Sequence, residues 1–254
     1  MDEITKNRRF MHCPSFKGSM EESDQQRGIT HPPHGKPISG ELTLLPAFED
    51  VVTCPSYVDL LDIRRSERIY TGEPMTQAQL AFMLWSAQGV QRYRDEARAF
   101  TLRPVPSGGA RHPFELYAAV KNVEGLKPGL YRYAPMEHVG EKLAAVEFLH
   151  ALDDYDNRVS DMLAKQKWAS KAPAVLFFSC VPYRSEWRYT DAAHRVMLID
   201  LGHAGQNVML NAAALGLGSC CIAAYDQALC DEAFGFNGID EYTVYAVTVG
   251  EFKS

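Results

Sequence analysis

Residues 190–218 read TDAAHRVMLIDLGHAGQNVMLNAAALGLG, and no other segment of the chain is so long, so apolar and so well capped. The sequence predicts one helix here, with Thr190 as its N-cap and Asp191 in its first turn. Gly216 and Gly218 are predicted to end it. Apolar residues occur on almost every face, while polar residues interrupt any run of the ~18 apolar residues that a membrane span needs. We therefore predict a helix that is surrounded by protein.

Four polar residues of this helix are spaced three or four positions apart, so they share one face: Asp200, His203, Asn207 and Asn211. An unpaired buried polar group costs about 1–3 kcal/mol, so this stripe needs hydrogen-bonding partners. On one interpretation, a neighbouring helix or a second subunit supplies these partners. On the other, the stripe contacts a substrate directly.

The composition is that of an ordinary globular protein, with 46% hydrophobic and 23% charged residues among 254. The length suits a single α/β or α+β core. A net charge of −6 disfavours binding to nucleic acid, because such binding needs a positive field that neutralises phosphates. We expect no nucleic-acid partner.

The first ten residues, MDEITKNRRF, are not followed by an apolar segment, so we expect no secretory signal, no membrane as a partner and a cytoplasmic protein. The six cysteines form no CxxC pair and no zinc-like spacing, so we expect no metal. The adjacent Cys220 and Cys221 are interpreted as small buried residues of a strand, with a redox role as the alternative.

Residues 1–55 are rich in Gly, Pro, Ser and charge and show no periodicity. We predict an irregular N-terminal arm over 1–55, followed by one domain over 56–254. His31 and His34 lie in the arm as HPPH, but no Cys, Asp or Glu nearby completes a set of metal ligands.

The rest of the chain mixes helices and strands without regular βαβ repetition, which predicts an α+β fold. Ser56 is a predicted N-cap, and Thr76 with Gln79 forms a capping box. Helices are predicted at 56–65, 76–89, 141–152, 154–168 and 226–234, and strands at 114–120, 129–133, 174–181 and 242–249.

Three segments could carry chemistry. Residues 64–68 read RRSER, whose guanidinium groups and hydroxyl can hold a phosphate, although surface arginine clusters are common. Residues 106–113 read PSGGARHP, where two glycines allow close approach of a ligand to the backbone, or simply form a surface turn. Residues 216–226 contain a lone GLG without a preceding strand, which excludes a Rossmann NAD site.

In this order, the three segments resemble the nitroreductase family of FMN-dependent oxidoreductases, over about residues 56–250. The segments SGGARHPFELY, GLYRY and LIDLGHAGQNVMLNAAALGLG resemble its SagB-type, azoline-dehydrogenase-like branch. The resemblance implies a central antiparallel sheet packed with helices, an intertwined homodimer, and two FMN sites at the dimer interface. The domain 56–254 is then the FMN-binding domain.

The resemblance also assigns roles to individual residues. Arg64, Ser66 and Arg68 would hold the FMN phosphate, with Arg65 assisting and Lys253 completing the site. Four residues would lie along the flavin ring: Pro106, Ser107, Gly108 and Ala110. Ala223 and Ala224 would present backbone amides to the N5 and O4 atoms, where charge develops on reduction.

Two positions depart from the family pattern. Nitroreductases carry an asparagine where this chain has Ala110, so a side-chain contact to the flavin is missing. Azoline dehydrogenases have a Lys-Tyr pair before the long helix, whereas this chain has Arg188 and Tyr189. Arginine does not deprotonate and cannot replace a lysine base. Tyr189 is therefore the candidate catalytic residue for proton transfer, with an interface tyrosine as the alternative.

The resemblance implies a ping-pong oxidoreductase that passes a hydride from NAD(P)H through FMN to a small organic acceptor. One alternative is oxidation of thiazoline or oxazoline rings in a peptide. The other is a flavin-binding protein without catalysis. The sequence identifies neither the acceptor nor the preferred nicotinamide.

Overall fold

The computed structural model describes residues 3–8, 10, 12, 21–53 and 56–253. The strands among these residues are β1 (Leu42–Leu44), β2 (Arg92–Tyr93), β3 (Thr101–Leu102), β4 (Phe114–Val120), β5 (Gly129–Tyr133), β6 (Ala145–His150), β7 (Ala174–Cys180), β8 (Gly218–Ile222) and β9 (Tyr242–Gly250). The α-helices are α1 (Glu3–Arg8), α2 (Tyr57–Ile63), α3 (Gln77–Gln88), α4 (Tyr155–Met162), α5 (Tyr183–Tyr189), α6 (Ala193–Ala214) and α7 (Gln227–Phe234).

Seven of these strands form one sheet in the order β1-β6-β5-β4-β7-β9-β8, and every neighbouring pair is antiparallel. The strands β2 and β3 form a separate antiparallel pair. An antiparallel sheet with helices against it confirms the predicted α+β class and the nitroreductase-like arrangement within one chain.

Helices cover both faces of the sheet. On β4, Leu116 and Ala118 point to the face that packs against α3 and α6. Tyr117 and Ala119 alternate with them and point to the face that packs against α4 and α7. The central strands are therefore buried on both sides, which explains the continuous apolar runs of β4 and β7.

The long helix α6 is confirmed, but its predicted ends need correction. Thr190 does not cap it, because residues Thr190–Ala192 form a 3₁₀ turn that runs directly into α6, and the amide of Ala193 bonds to the carbonyl of Thr190. Gly216 ends the helix region at φ 70°, as expected for a C-terminal glycine. Gly218 instead begins β8.

The predicted helix at 141–152 is wrong, since residues Ala145–His150 are the strand β6. Helix-forming residues such as Glu, Leu and Ala dominate this segment, but pairing with β1 on one side and β5 on the other overrides that preference. The predicted helix at 154–168 is shorter than expected. It ends at Met162 because Ala164 and Lys165 adopt positive φ angles.

The N-terminal region is less irregular than predicted. Residues Glu3–Arg8 form α1, and Leu42–Leu44 add the edge strand β1 to the sheet. The division into an arm over 1–55 and a domain over 56–254 stays a prediction, but β1 belongs to the sheet of that domain. Side chains of the sheet also bind the segment before β1, as when Arg132 donates to the carbonyl of Pro37 at 2.6 Å.

Candidate functional site

The segment 64–68 follows α2 and runs beside β8. Ser56 caps α2 by accepting from the Asp59 amide at 3.4 Å, and the chain leaves the helix at Arg64. The amide of Glu67 then donates to the carbonyl of Ser219 at 2.9 Å. At the other side of the segment, the amide of Lys253 donates to the carbonyl of Ile69 at 2.9 Å. The structure thus brings the predicted phosphate residues and Lys253 together.

The basic side chains of this region are free of acidic partners. Arg65, Arg68 and Lys253 are exposed and Arg64 is half-buried. None of the four forms an ion pair with a described residue. Arg68 instead lies over the ring of Trp168 at 5.7 Å. Unpaired cations on adjacent backbone segments favour an anion such as a phosphate.

A pocket of about 110 Å³ lies beside these cations. Arg64, Arg65 and Ser219 line one side, and Met209 of α6 lines another. The carboxylate-bearing Glu67 also lines it, but the arginines leave an excess of positive charge. The segment 64–68 approaches β8 closely at Gly218, because a Cβ at that position would lie 2.8 Å from Cβ of Glu67. The lining therefore combines an excess of positive charge with the hydroxyl of Ser219, which suits an anion.

Ala223 and Ala224 are exposed and come directly after β8. The carbonyl of Ala224 accepts a hydrogen bond from Nε2 of Gln166 at 3.0 Å. Trp168 of the same short segment contacts Arg68. Residues 166–168 therefore connect Ala223 and Ala224 with the residues predicted to hold the phosphate. Small side chains at these positions leave the backbone open to a ligand.

The second group of predicted residues is the loop 106–112, which lies against the first half of α6. Ser107 Oγ donates to Oδ2 of Asp200 at 2.7 Å, and the Gly108 amide donates to the same carboxylate at 3.0 Å. Asp200 is 6% exposed. Burial raises the pKa of Asp200, while the hydrogen bonds from Ser107 and Gly108 act in the opposite direction.

Tyr189 and Arg188 pack on the glycines of this loop. A Cβ on Gly109 would lie 2.6 Å from the Tyr189 hydroxyl and 2.6 Å from Nε of Arg188, so any larger residue there would displace these two side chains. A Cβ on Gly108 would lie 2.4 Å from Val196 of α6. The glycines therefore allow α5 and α6 to pack closely on the loop, whether or not a ligand is bound.

Within one chain, the loop 106–112 lies apart from the pocket beside residues 64–68. The loop 106–112 contacts α6 at Asp200, whereas the phosphate pocket contacts it at Met209. Nine residues of helix separate these positions by about 14 Å along the axis. Among the described residues, no hydrogen bond links the segment 64–68 with the loop 106–112.

Sequence reasoning missed two residues that shape the loop. Arg111 is 1% exposed and donates from Nε to the carbonyl of Arg184 at 2.8 Å. Asp200 was recognised on the polar stripe but not as a partner of the loop. Spacing along a helix predicts a shared face, yet it does not identify which loop that face meets. Asn207 of the same stripe meets a helix, since its Nδ2 donates to the carbonyl of Ser86 at 3.1 Å.

The remaining candidates are a redox role for Cys220 and Cys221 and metal binding by His31 and His34. Cys220 and Cys221 lie on β8, as expected, and burial raises the pKa of both thiols. His31 and His34 stack on each other at 4.9 Å. Within the described residues, no group of three or more His, Cys, Asp or Glu side chains could hold a metal ion. No helix in that part of the chain combines the length and hydropathy of a membrane span.

The fold is an antiparallel sheet covered by helices, and a pocket lined by Arg64 and Arg65 lies beside β8. The chain belongs to the nitroreductase family, whose profile matches residues 61–251.

Two relatives illustrate the breadth of this family. A nitroreductase-like protein of Methanocaldococcus jannaschii is 32% identical over 206 residues, which are 81% of this chain and 94% of that protein. The microcin B17-processing protein McbC of Escherichia coli is 25% identical over 154 residues, which are 59% of this chain and 53% of McbC. The second relative places the chain near the processing proteins of the SagB-like branch.

Solved structures share the fold. The microcin synthetase McbBCD complex of Escherichia coli, with truncated pro-MccB17 bound, matches 99% of this chain and 92% of its own chain, at a TM-score of 0.62 and 18% identity. The NADPH:FMN oxidoreductase of Vibrio harveyi, complexed with NAD⁺, matches 78% of this chain and 69% of its own, at a TM-score of 0.53 and 15% identity. At identities below 25%, these likenesses show the shared fold.

Proposed function

We propose that the protein is an FMN-dependent oxidoreductase that transfers a hydride from NAD(P)H to a small organic acceptor by a ping-pong mechanism. The observation that carries this proposal is the pocket lined by Arg64 and Arg65, with the exposed cations Arg68 and Lys253 on adjacent backbone segments, in a chain of the nitroreductase family. When bound, FMN supplies the two-electron chemistry that no side chain of this site can perform.

In this proposal, the residues of the chain bind, orient and shield the cofactor. Arg64, Arg68 and Lys253 hold the phosphate by charge-assisted hydrogen bonds, with Arg65 and Ser66 beside them. Pro106, Ser107, Gly108 and Ala110 provide the surface against the ring. The amides of Ala223 and Ala224 stabilise the negative charge that develops on reduction.

The proposal includes a homodimer, because one chain separates the two groups of residues by about 14 Å along α6. A two-fold arrangement would bring the loop 106–112 of one copy to the phosphate pocket of the other. Exposed apolar side chains support an interface on α2, where Val58 is 74% and Leu61 is 50% exposed. On α6, Leu198 is 53% and Ile199 is 47% exposed.

Binding of FMN and riboflavin to the flavin-free protein tests this proposal. FMN should bind at least tenfold more tightly than riboflavin, because only FMN carries the phosphate that the arginines hold. Equal affinity for the two flavins would contradict the proposed phosphate site. Absence of binding by either flavin would contradict the proposal as a whole.

A second candidate function is oxidation of a thiazoline or oxazoline ring in a peptide. Two observations favour it: the relationship to McbC, and the location of Tyr189 against the glycines of the loop. In that reaction Tyr189, ionised to the phenolate, would accept a proton from the ring, and the bound cofactor would supply the hydride acceptor. Tyr189→Phe should then abolish peptide oxidation and leave FMN binding intact. Unchanged peptide oxidation in this variant would exclude the role.

A further inference from the structure

We propose that Asp200 is a positioning residue that holds the loop 106–112 in its FMN-binding conformation. The proposal rests on the proposed function where it concerns FMN. It deepens that function, because it explains how a strained loop keeps its shape beside the cofactor. The observations that carry it are the backbone angles of the loop, the hydrogen bonds of Ser107 and Gly108, and the burial of Asp200.

The loop has a conformation that its residues do not favour on their own. Gly109 has a φ of 58°, Ala110 of 53° and His112 of 46°. L-amino acids rarely adopt this left-handed region, and alanine gains no local hydrogen bond there as asparagine can. Contacts from outside the loop must therefore hold these residues in place.

Asp200 supplies such a contact at the start of the loop. Its Oδ2 accepts from Ser107 Oγ at 2.7 Å, and Oδ1 accepts from the Gly108 amide at 3.1 Å. Ser107 Oγ in turn accepts from the amide of His112 at 2.9 Å. One side chain of α6 thus fixes both ends of the strained span, directly at Gly108 and through Ser107 at His112.

The direction of these hydrogen bonds requires an acceptor at position 200. The amide of His112 can only donate, so Ser107 uses a lone pair there and its proton is free to go to Asp200. An asparagine oxygen in the place of Oδ2 would still accept from Ser107 and from the Gly108 amide, but it carries no negative charge. Its NH₂ group would replace Oδ1, which is the second acceptor of the Gly108 amide.

Burial of the Asp200 carboxylate costs free energy, which hydrogen bonds to the carboxylate must offset. The carboxylate forms no ion pair with a described residue. Buried carboxylates without a cation are rare because the charge loses its hydration. The amide and hydroxyl donors of the loop replace that hydration.

Cleavage by trypsin after Arg111 measures whether the loop 106–112 has loosened. Its guanidinium is buried between the rings of Phe100 and Trp187, at 5.6 and 4.6 Å from the ring centres. If the loop loosens, the Arg111–His112 peptide bond becomes accessible to trypsin. Cleavage at this bond reports the conformation of the loop without any cofactor.

The experiment compares Asp200→Ala and Asp200→Asn with a matched control, Asn207→Ala. Asn207 lies on the same helix and makes a helix-to-helix hydrogen bond to Ser86, away from the loop. FMN affinity is measured by fluorescence titration, and tryptic cleavage after Arg111 by mass spectrometry. Thermal unfolding of each variant identifies any general loss of stability, and Asp200→Asn serves if the alanine variant fails to fold.

We expect Asp200→Ala to weaken FMN binding at least tenfold and to accelerate cleavage after Arg111 at least tenfold. Asp200→Asn should fall between this variant and the wild type, while Asn207→Ala should change neither quantity beyond twofold. Wild-type affinity and cleavage in Asp200→Ala would overturn the proposal, as would equal effects of Asn207→Ala. If the wild type binds no FMN, the proposed function fails, and the cleavage data still decide whether Asp200 holds the loop.

Discussion

Arg68 is the clearest single contributor to the proposed phosphate site, because its exposed guanidinium forms no ion pair within the described part of the chain and lies over the ring of Trp168. We predict that Arg68→Gln weakens FMN binding about tenfold, since one charge-assisted hydrogen bond is worth about 1.5–3 kcal/mol. Riboflavin binding should not change. Isothermal titration with both flavins measures the difference.

Arg158→Gln is the matched control, because Arg158 is an exposed arginine of α4 whose nearest acid is Glu232 at 3.9 Å. This variant should keep wild-type affinity for FMN. An equal loss in both variants would show that net charge, and not the site at 64–68, determines binding.

Glu147 is a residue on which the fold depends. Its side chain is 1% exposed, pairs with Arg132, and accepts from the Ser39 amide at 2.9 Å. Removing one partner of a buried ion pair leaves an uncompensated charge, so we predict that Glu147→Gln lowers the free energy of unfolding by about 3 kcal/mol. Urea denaturation at neutral pH measures this change.

The same residue makes part of the stability depend on pH. Burial alone raises the pKa of Glu147, but hydrogen bonds from Ser39 and the Arg132 guanidinium outweigh it and hold the pKa below its ordinary value. A lowered pKa means that the stabilisation is present above the pKa of the unfolded chain and is lost as the pH falls through that of the folded protein. Glu147→Gln should therefore reduce the acid sensitivity of unfolding, and an unchanged pH profile would contradict this role.

At the scale of elements, the loop 106–112 stores backbone strain at Ala110. Asparagine tolerates the left-handed region better than alanine, so we predict that Ala110→Asn raises the free energy of unfolding by about 0.5–1 kcal/mol. Ala97→Asn is the control, because Ala97 is an exposed loop residue outside the left-handed region. Thermal unfolding measures both, and destabilisation by Ala110→Asn alone would show that packing, not strain, dominates at this position.

Local signals predicted most elements well. The capping box of Thr76 and Gln79 is present on α3, and the apolar runs of β4 and β7 are strands buried on both faces. The strand β6 was missed because its helix-forming residues are held between β5 and β1, and β1 lies far away in sequence. Thr190 looked like a cap, but a cap depends on the path of the preceding turn, which the sequence does not specify.

The candidate site was predicted as a set of residues, but not as an arrangement. The resemblance to the family assigned residues at 64–68, 106–110, 223–224 and 253. Of these, Arg64 and Arg65 line a pocket together with Met209 of α6, whereas Ser107 bonds to Asp200 nearer the start of that helix. Their separation along that helix could not be read from the sequence, because it depends on tertiary packing. For the same reason, the role of Asp200 became visible only when its distance to Ser107 was known.

For the whole molecule, the separation of the two groups predicts that FMN binding requires a dimer. Leu61→Glu on α2 and Leu198→Glu on α6 place a charge on the apolar surfaces proposed for the interface. We predict that the double variant is monomeric and loses bound FMN. Size-exclusion chromatography with light scattering, recorded together with flavin absorbance, measures both properties.

Ile239→Glu is the control for this experiment, because Ile239 is 76% exposed but lies outside α2 and α6. It should keep the oligomeric state and the flavin of the wild type. A monomeric double variant that binds FMN as well as the wild type would contradict the shared site.

Anaerobic titration of the FMN-loaded protein with NADPH and then with NADH, followed by visible absorbance, tests the central claim most directly. The account predicts that at least one nicotinamide bleaches the flavin absorbance in a stoichiometric amount, and that a nitroaromatic or quinone acceptor restores it. A bound flavin that stays oxidised with both nicotinamides would contradict the reductase function and favour peptide-ring oxidation or flavin binding without catalysis.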